Sequence, residues 1–261
     1  DSQFQAELRL YSQTGRRIGR SVAQFRTHDP ILDVTFPEDG DYFIRASDFV
    51  YGGSNDYGYR LKVHTGPHVD FVIPPAGVPG SKARYTLIGR NLPGSQPAGI
   101  GADGRQLEKL DVEIALPNKP TELDPGQTAF SFESTLDGAS YVFQGANGDA
   151  NPVTIAFAPQ ALSTENEPNN EAVESQKITV PAEIAGQLQQ RGDVDRFEFE
   201  AKAGQVFWID VFGQQLGRLT DPVLTVEQVT KKEDGTETVK RLTALDDTTT
   251  NAAANLFDTA S

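Results

Sequence analysis

Apolar and polar positions alternate along the opening of the chain with the period of two that a half-buried strand requires. Phe4, Ala6, Leu8 and Leu10 interleave with Gln5, Glu7, Arg9 and Tyr11. Ser12, Gln13, Thr14 and Gly15 then supply a turn. Leu32, Val34 and Phe36 predict a further strand that stops at the reversal between Pro37 and Gly40, and Tyr42, Ile44 and Ala46 predict the next. Beyond the Gly-Gly-Ser-Asn loop at 52–55, Tyr57, Tyr59, Leu61 and Val63 predict another.

The alternation restarts in residues 66–160. Leu110, Val112, Ile114 and Leu116 oppose Asp111, Glu113 and Ala115, and further strands are predicted at Phe130 and Phe132, at Tyr141 and Phe143, and at Val153, Ile155 and Phe157. Turn residues separate them at the spacing of a β-sandwich. A linker rich in Ala, Pro, Ser and Thr at 158–164 leads into a last unit. There Ile178 and Val180, then Ala182, Ile184 and Gly186, then Phe197, Phe199 and Ala201 again read as strands. Residues 206–212, Val-Phe-Trp-Ile-Asp-Val-Phe, are apolar on both faces, which predicts a central strand with Trp208 in the core. The expected fold is all-β, as tandem antiparallel β-sandwiches over 1–65, 66–160 and 161–261. Composition agrees: 15 Phe and 7 Tyr in 261 residues can fill cores, and 24 Gly with 16 Pro supply many turns.

Net charge is −14, and the excess is concentrated: residues 161–200 carry 9 acidic against 3 basic side chains. Clustered carboxylates repel unless water disperses them or a cation neutralises them. An acidic surface also argues against nucleic acid or an anionic membrane as a partner. No apolar run is long enough for a spanning helix. Cysteine is absent, which excludes disulfides and thiolate chemistry. The chain opens on Asp1 rather than methionine, and any secretion signal is expected upstream of it.

The acidic region holds the candidate chemistry. Glu165, Glu167, Asn169 and Asn170 crowd one short stretch, and Asp193 and Asp195 sit in a turn just before the Phe197 strand. A hard cation such as calcium takes six to eight oxygens at roughly 2.3–2.6 Å, mixing carboxylate, amide and backbone donors. These six residues supply that chemistry, with the four carboxylates as charged ligands.

Other motifs read as structure. Arg191, Gly192 and Asp193 spell an adhesion tripeptide whose Asp the turn already needs. The Gly-x-Gly-x-x-Gly of Gly99, Gly101 and Gly104 precedes a strand pattern rather than the helix that phosphate binding requires. His64 and His68 flank Pro67, which breaks the helical spacing that a zinc pair would use; His28 stands apart. Arg16, Arg17, Arg20 and Arg26 form a basic stripe read as a solvated strand face. No nucleophile elbow and no Ser, His and Asp set emerges, so no catalytic residues are assigned.

The sequence ENEPNN at 165–170, followed after a gap by GDVDRFEFEAKAGQ at 192–205, resembles the opening half of a bacterial pre-peptidase C-terminal domain. DPILDVTFPEDGDYFIRASDF at 29–49 with GGSNDYGYRLKV at 52–63 resembles the closing half. PHVDFVIPPAGVPGSKARYTLIGRNLPGS at 67–95 is similar to the start of an immunoglobulin-like domain of the transcription-factor and plexin (TIG) type. The resemblance implies two partial jelly-roll-like modules flanking an immunoglobulin-like one, with calcium held by the acidic leader and the Asp-x-Asp turn. It further implies a secreted or cell-surface bacterial protein in which the modules are non-catalytic accessory or binding parts, with a protein or polysaccharide of the cell exterior as partner. Residues 29–65 are expected either to complete the module begun at 161, within one chain or by self-association between copies, or to mark a fragment boundary. A structural spacer, and an accessory part of a secreted peptidase or glycosidase whose catalytic domain lies elsewhere, remain the alternatives.

Overall fold

A computed structural model describes residues 5–22, 29–101, 104–120, 136–213, 216, 222–231 and 237–245. The chain is all-β, and it divides into two compact units, Asp1–His64 and Thr65–Ser261.

In the first unit β1 (Ala6–Ser12), β2 (Arg17–Val22) and β3 (Tyr42–Asp48) form a sheet in the order β2-β1-β3, both pairs antiparallel. Alternation places β1 correctly, but its buried positions are Leu10 and the acid Glu7, which is 1% exposed. Glu7 is covered by its own counter-ions: Arg20 Nε donates at 2.6 Å and Arg9 Nη2 approaches to 2.8 Å. These bonds, Arg20 first, hold its carboxyl below the ordinary carboxylate range against the opposing effect of burial. Arg20 therefore belongs to an ion pair rather than to a solvated stripe, while Arg26 lies outside the described residues. Asp48, also buried, closes the end of β3 by accepting from the backbone of Gln5, Val50 and Gly52.

Two expected strands do not form here. Residues 29–36 and 57–63 enter no ladder, and Phe36, Tyr59 and Val63 are exposed. Alternation provides a strand with a face but not with a neighbour, and a strand forms only where a partner edge lies alongside.

The second unit begins with β4 (His68–Ile73), β5 (Ala76–Gly77), β6 (Lys82–Arg90), β7 (Gln96–Ile100), β8 (Gln106–Ala115), β9 (Gly138–Tyr141), β10 (Gln144–Gly145), β11 (Gly148–Asp149) and β12 (Val153–Phe157). One sheet runs β4-β6-β8-β7, all antiparallel; a second runs β5-β12-β9, with β12 antiparallel to β9 and parallel to β5. Val69, Val72, Tyr85, Leu87 and Ile114 of the first sheet share a core with Ala139, Val153 and Ile155 of the second. This is a two-layer sandwich, and Ile114, Val153 and Ile155 of its core are alternating positions that the sequence marks. The glycine-patterned stretch is the β7–β8 hairpin, where Gly101 N donates to Arg105 O. The strand expected at Phe130 and Phe132 lies outside the described residues.

After the sandwich come β13 (Ser163–Thr164), the 3-10 turn Ala172–Glu174, β14 (Gln176–Lys177), β15 (Ile184–Ala185) and β16 (Phe197–Glu198). β13 pairs with β15 and β14 with β16, both parallel. An antiparallel hairpin of β17 (Leu224–Lys231) and β18 (Glu237–Leu245) follows. The central strand expected at 206–212 is not formed: no ladder includes it, and Trp208 is 89% exposed rather than in a core. A run apolar on both faces needs a strand on each edge and a layer on each face, and the described residues place none there. No helix among the described residues is long and apolar enough to cross a membrane.

Asn151 fastens one edge of the sandwich. Its Oδ1 accepts from Val69 N at 2.8 Å and its Nδ2 donates to Val69 O at 2.9 Å, as a neighbouring strand would. Val69 is 1% exposed, so removing the amide strands two buried backbone groups. Asn151→Ala is expected to lower the unfolding free energy by about 2 kcal/mol, measured by urea denaturation; a loss under about 0.5 kcal/mol would mean that water replaces the amide.

Candidate metal centre

The acidic leader, residues 165–170, is pinned where it crosses the two parallel strand pairs. Glu165 N donates to Ala185 O and extends the β13–β15 pairing by one residue. The Gln176 amide clamps the leader on either side of Glu165, donating to Thr164 O at 3.3 Å and accepting from Asn166 N at 2.8 Å. Asn169 O accepts from Arg196 N, which brings the far end of the leader beside the Asp195 turn.

The consequence is a convergence of like charges. Glu165, Glu167 and Asp195 each bring a carboxylate oxygen within 4.8 Å of the others, and among the described residues they are the one group of His, Cys, Asp or Glu arranged tightly enough to hold a metal. Burial and neighbouring carboxylates both raise the Glu165 pKa, with burial the larger cause. Asp195 is raised in the same way, by burial and then by Asp193 and Glu167. No described Lys or Arg forms an ion pair with Glu165, Glu167, Asp193 or Asp195.

Four oxygens there are buried without a hydrogen-bond partner: Glu165 Oε2, Asn169 Oδ1, Asp193 Oδ1 and Asp195 Oδ1. Asn169 is wholly buried, and its amide nitrogen also lacks a partner. Buried polar atoms in native proteins are nearly always paired, so a cluster of orphaned acceptors fits a cation.

The six residues that the sequence marks do not play equal parts. Glu165, Glu167 and Asp195 form the triad. Asn169 lies in the same loop, its N–H donating to Glu167 Oε2 at 3.1 Å. Asp193 uses Oδ2 to accept from Gln189 N at 2.5 Å, which places the acid of the adhesion-like tripeptide inside the turn. Asn170 also serves the turn: its Oδ1 accepts from Val194 N at 2.8 Å. His68 stands apart, 3.5 Å from Asp70 on β4.

Sequence reading missed Gly186, Gln187 and Gln176. A Cβ on Gly186 would sit 2.6 Å from Glu165 Oε2 and 3.3 Å from Asp195 Oδ2, so the glycine just after β15 leaves room where the ends of the two carboxylates approach, and a larger residue would push on them. The signal was a glycine at an alternating apolar position, the mark of close approach. Gln187 N donates to Glu165 Oε1 at 2.8 Å and fixes that carboxylate. The site opens into a cleft of about 240 Å³ walled by Ile73, Thr164 and Gln189 among others.

Comparison of the chain with protein-family models, curated proteins and solved structures finds no match.

Two outcomes are expected from these contacts. In chelator the raised carboxylates make the fold less stable as pH rises from the ordinary carboxylate range through their raised values, because the native state binds the proton more tightly. Glu165→Gln should therefore melt roughly 2–4 °C above the parent protein at pH 7 in chelator, with the gap closing toward pH 4. A variant that melts lower throughout would show that the charge is already compensated. Gly186→Ala should separate the triad, and differential scanning calorimetry with and without calcium should find any calcium-induced rise in melting temperature at least halved.

Proposed function

We propose that this chain is a non-catalytic binding part of an exported bacterial protein, stabilised by calcium. Its end segments are of the pre-peptidase C-terminal type and its central sandwich is of the immunoglobulin-like TIG type. The observation that supports the reading is the carboxylate triad with its buried, unpartnered oxygens. Glu165, Glu167 and Asp195 would hold the ion, and Asn169 and Asp193 are the adjacent oxygen donors. When bound, calcium supplies the positive charge that the cluster lacks. The chain's own residues do the rest: Gln176 and Ala185 hold the leader in place, Gln187 orients Glu165, and Gly186 leaves room for the carboxylates. Fastening the leader in this way gives a rigid platform for a protein or polysaccharide outside the cell.

A second reading, a self-associating structural segment, is favoured by exposed apolar side chains in 206–212, where Val206 is 86% and Trp208 89% accessible. A screen of glycans and matrix proteins with and without calcium separates the two. Calcium-dependent capture supports the binding reading, and concentration-dependent growth in mass without any ligand supports the other.

Calcium itself is tested by melting. An ion that binds only the native state stabilises it by about 2.7 kcal/mol at one hundred times its dissociation constant, which is roughly 5–10 °C for a unit of this size. Differential scanning fluorimetry in millimolar calcium against chelator should record that rise, with a smaller one in magnesium, which dehydrates reluctantly and demands octahedral geometry. No shift at several millimolar calcium would remove the ion from the proposal.

A further inference from the structure

We propose that Arg196 is the positioning residue of the cation site: it sets the geometry of ligands on both sides of the ion without touching the ion itself. The inference rests on the calcium reading above and adds to it the residue on which the site's assembly turns.

Three tie points converge on this one residue. Its backbone N–H donates to Asn169 O at 3.2 Å, and its backbone carbonyl accepts from Gln176 N at 2.9 Å. Its side-chain Nε donates to Asn170 O at 2.8 Å. The two leader carbonyls it holds belong to the buried Asn169 and to the next residue, Asn170, and they follow Glu167 by two and three residues. The residue it follows is Asp195, a member of the triad. The same residue thus fixes the turn ligand through the chain and the leader ligands through hydrogen bonds.

The described contacts of its guanidinium are with the Asn170 carbonyl and with Glu227, and none is with a carboxylate of the triad. The far edge of the guanidinium turns instead toward Glu227 of β17, 3.8 Å away, and both partners are partly exposed. An ion pair so long and so wet contributes little. What the guanidinium supplies is a rigid N–H donor close to its own backbone, aimed at a peptide carbonyl. A lysine ammonium, a point charge at the end of a longer flexible stem, does not reproduce that geometry. Outer-shell groups that orient ligands commonly change metal affinity by about 10–100-fold when removed.

The test is isothermal titration of calcium chloride into the whole chain and into Arg196→Ala, Arg196→Lys and Glu227→Gln, with melting of each in chelator. Arg196→Ala is expected to weaken calcium at least tenfold, Arg196→Lys to weaken it nearly as much, and Glu227→Gln to leave it within twofold of the parent. Should Arg196→Ala not fold, Arg196→Lys carries the test alone. Full affinity in Arg196→Lys would make the role one of charge and overturn the proposal. A lower melting temperature in chelator with unchanged calcium affinity would make it merely structural, which also overturns it. Loss in Glu227→Gln equal to that in Arg196→Ala would assign the effect to the β17 contact instead. A parent chain that binds no calcium at all defeats the cation reading itself, a result separate from a parent that binds and an Arg196→Ala that binds equally well.

Discussion

Bringing three carboxylates together where two of them are partly buried is unfavourable, and the second unit does so anyway. Burial withdraws the water that would disperse the charge, and each acid raises the cost of ionising its neighbours, as the upward shifts of Glu165 and Asp195 record. The neutral framework that enforces this closeness is backbone pairing. Glu165 N on Ala185 O and Arg196 N on Asn169 O hold the stretches of backbone that carry the acids side by side. A cation of the kind proposed above would relieve that repulsion.

The central sandwich supplies what such a site cannot supply for itself. Between its two sheets lie Leu87 and Ile155, both fully buried, in a core made of residues that alternate in sequence. Beyond residue 160 the described strands pair in runs of two residues, apart from the β17–β18 hairpin, and Ala185 and Asn169 are almost alone in being buried there. That segment buries little apolar area, so side chains and backbone carbonyls must hold it. Here the cation would do the cross-linking that a hydrophobic core does in the sandwich.

What the sequence makes legible follows from this division. Alternation located β1, β3, β8 and β12 because each finds a partner strand. The same alternation at 57–63 and the apolar run at 206–212 named strands that do not form, since pairing depends on what lies alongside, and that is not encoded locally. The acid triad was visible because carboxylates with a common fate are conspicuous even when 30 residues separate Glu165 from Asp195. Gly186 and Arg196 were not, because their importance comes from a crossing of segments: one is the gap that two side chains fill, and the other reaches back 26 positions to a peptide carbonyl.

Glu7 and Glu165 show two ways of burying an acid in one chain. Glu7 meets Arg20 and Arg9, and its carboxyl is pulled below the ordinary range; ionised, it is satisfied by residues it carries with it. Glu165 meets Asp195 and Glu167, and its carboxyl is pushed up; ionised, it has an oxygen with no donor. Arginine is within the second neighbourhood too, since Arg196 adjoins Asp195, but it is spent on carbonyls rather than on the acids. A chain that needed only stability there had the means to pair the charge, as its first unit does. Under the calcium proposal, acids left unpaired beside an arginine that holds only carbonyls would make the stability of the segment depend on the ion, whereas Glu7 carries its own counter-charge.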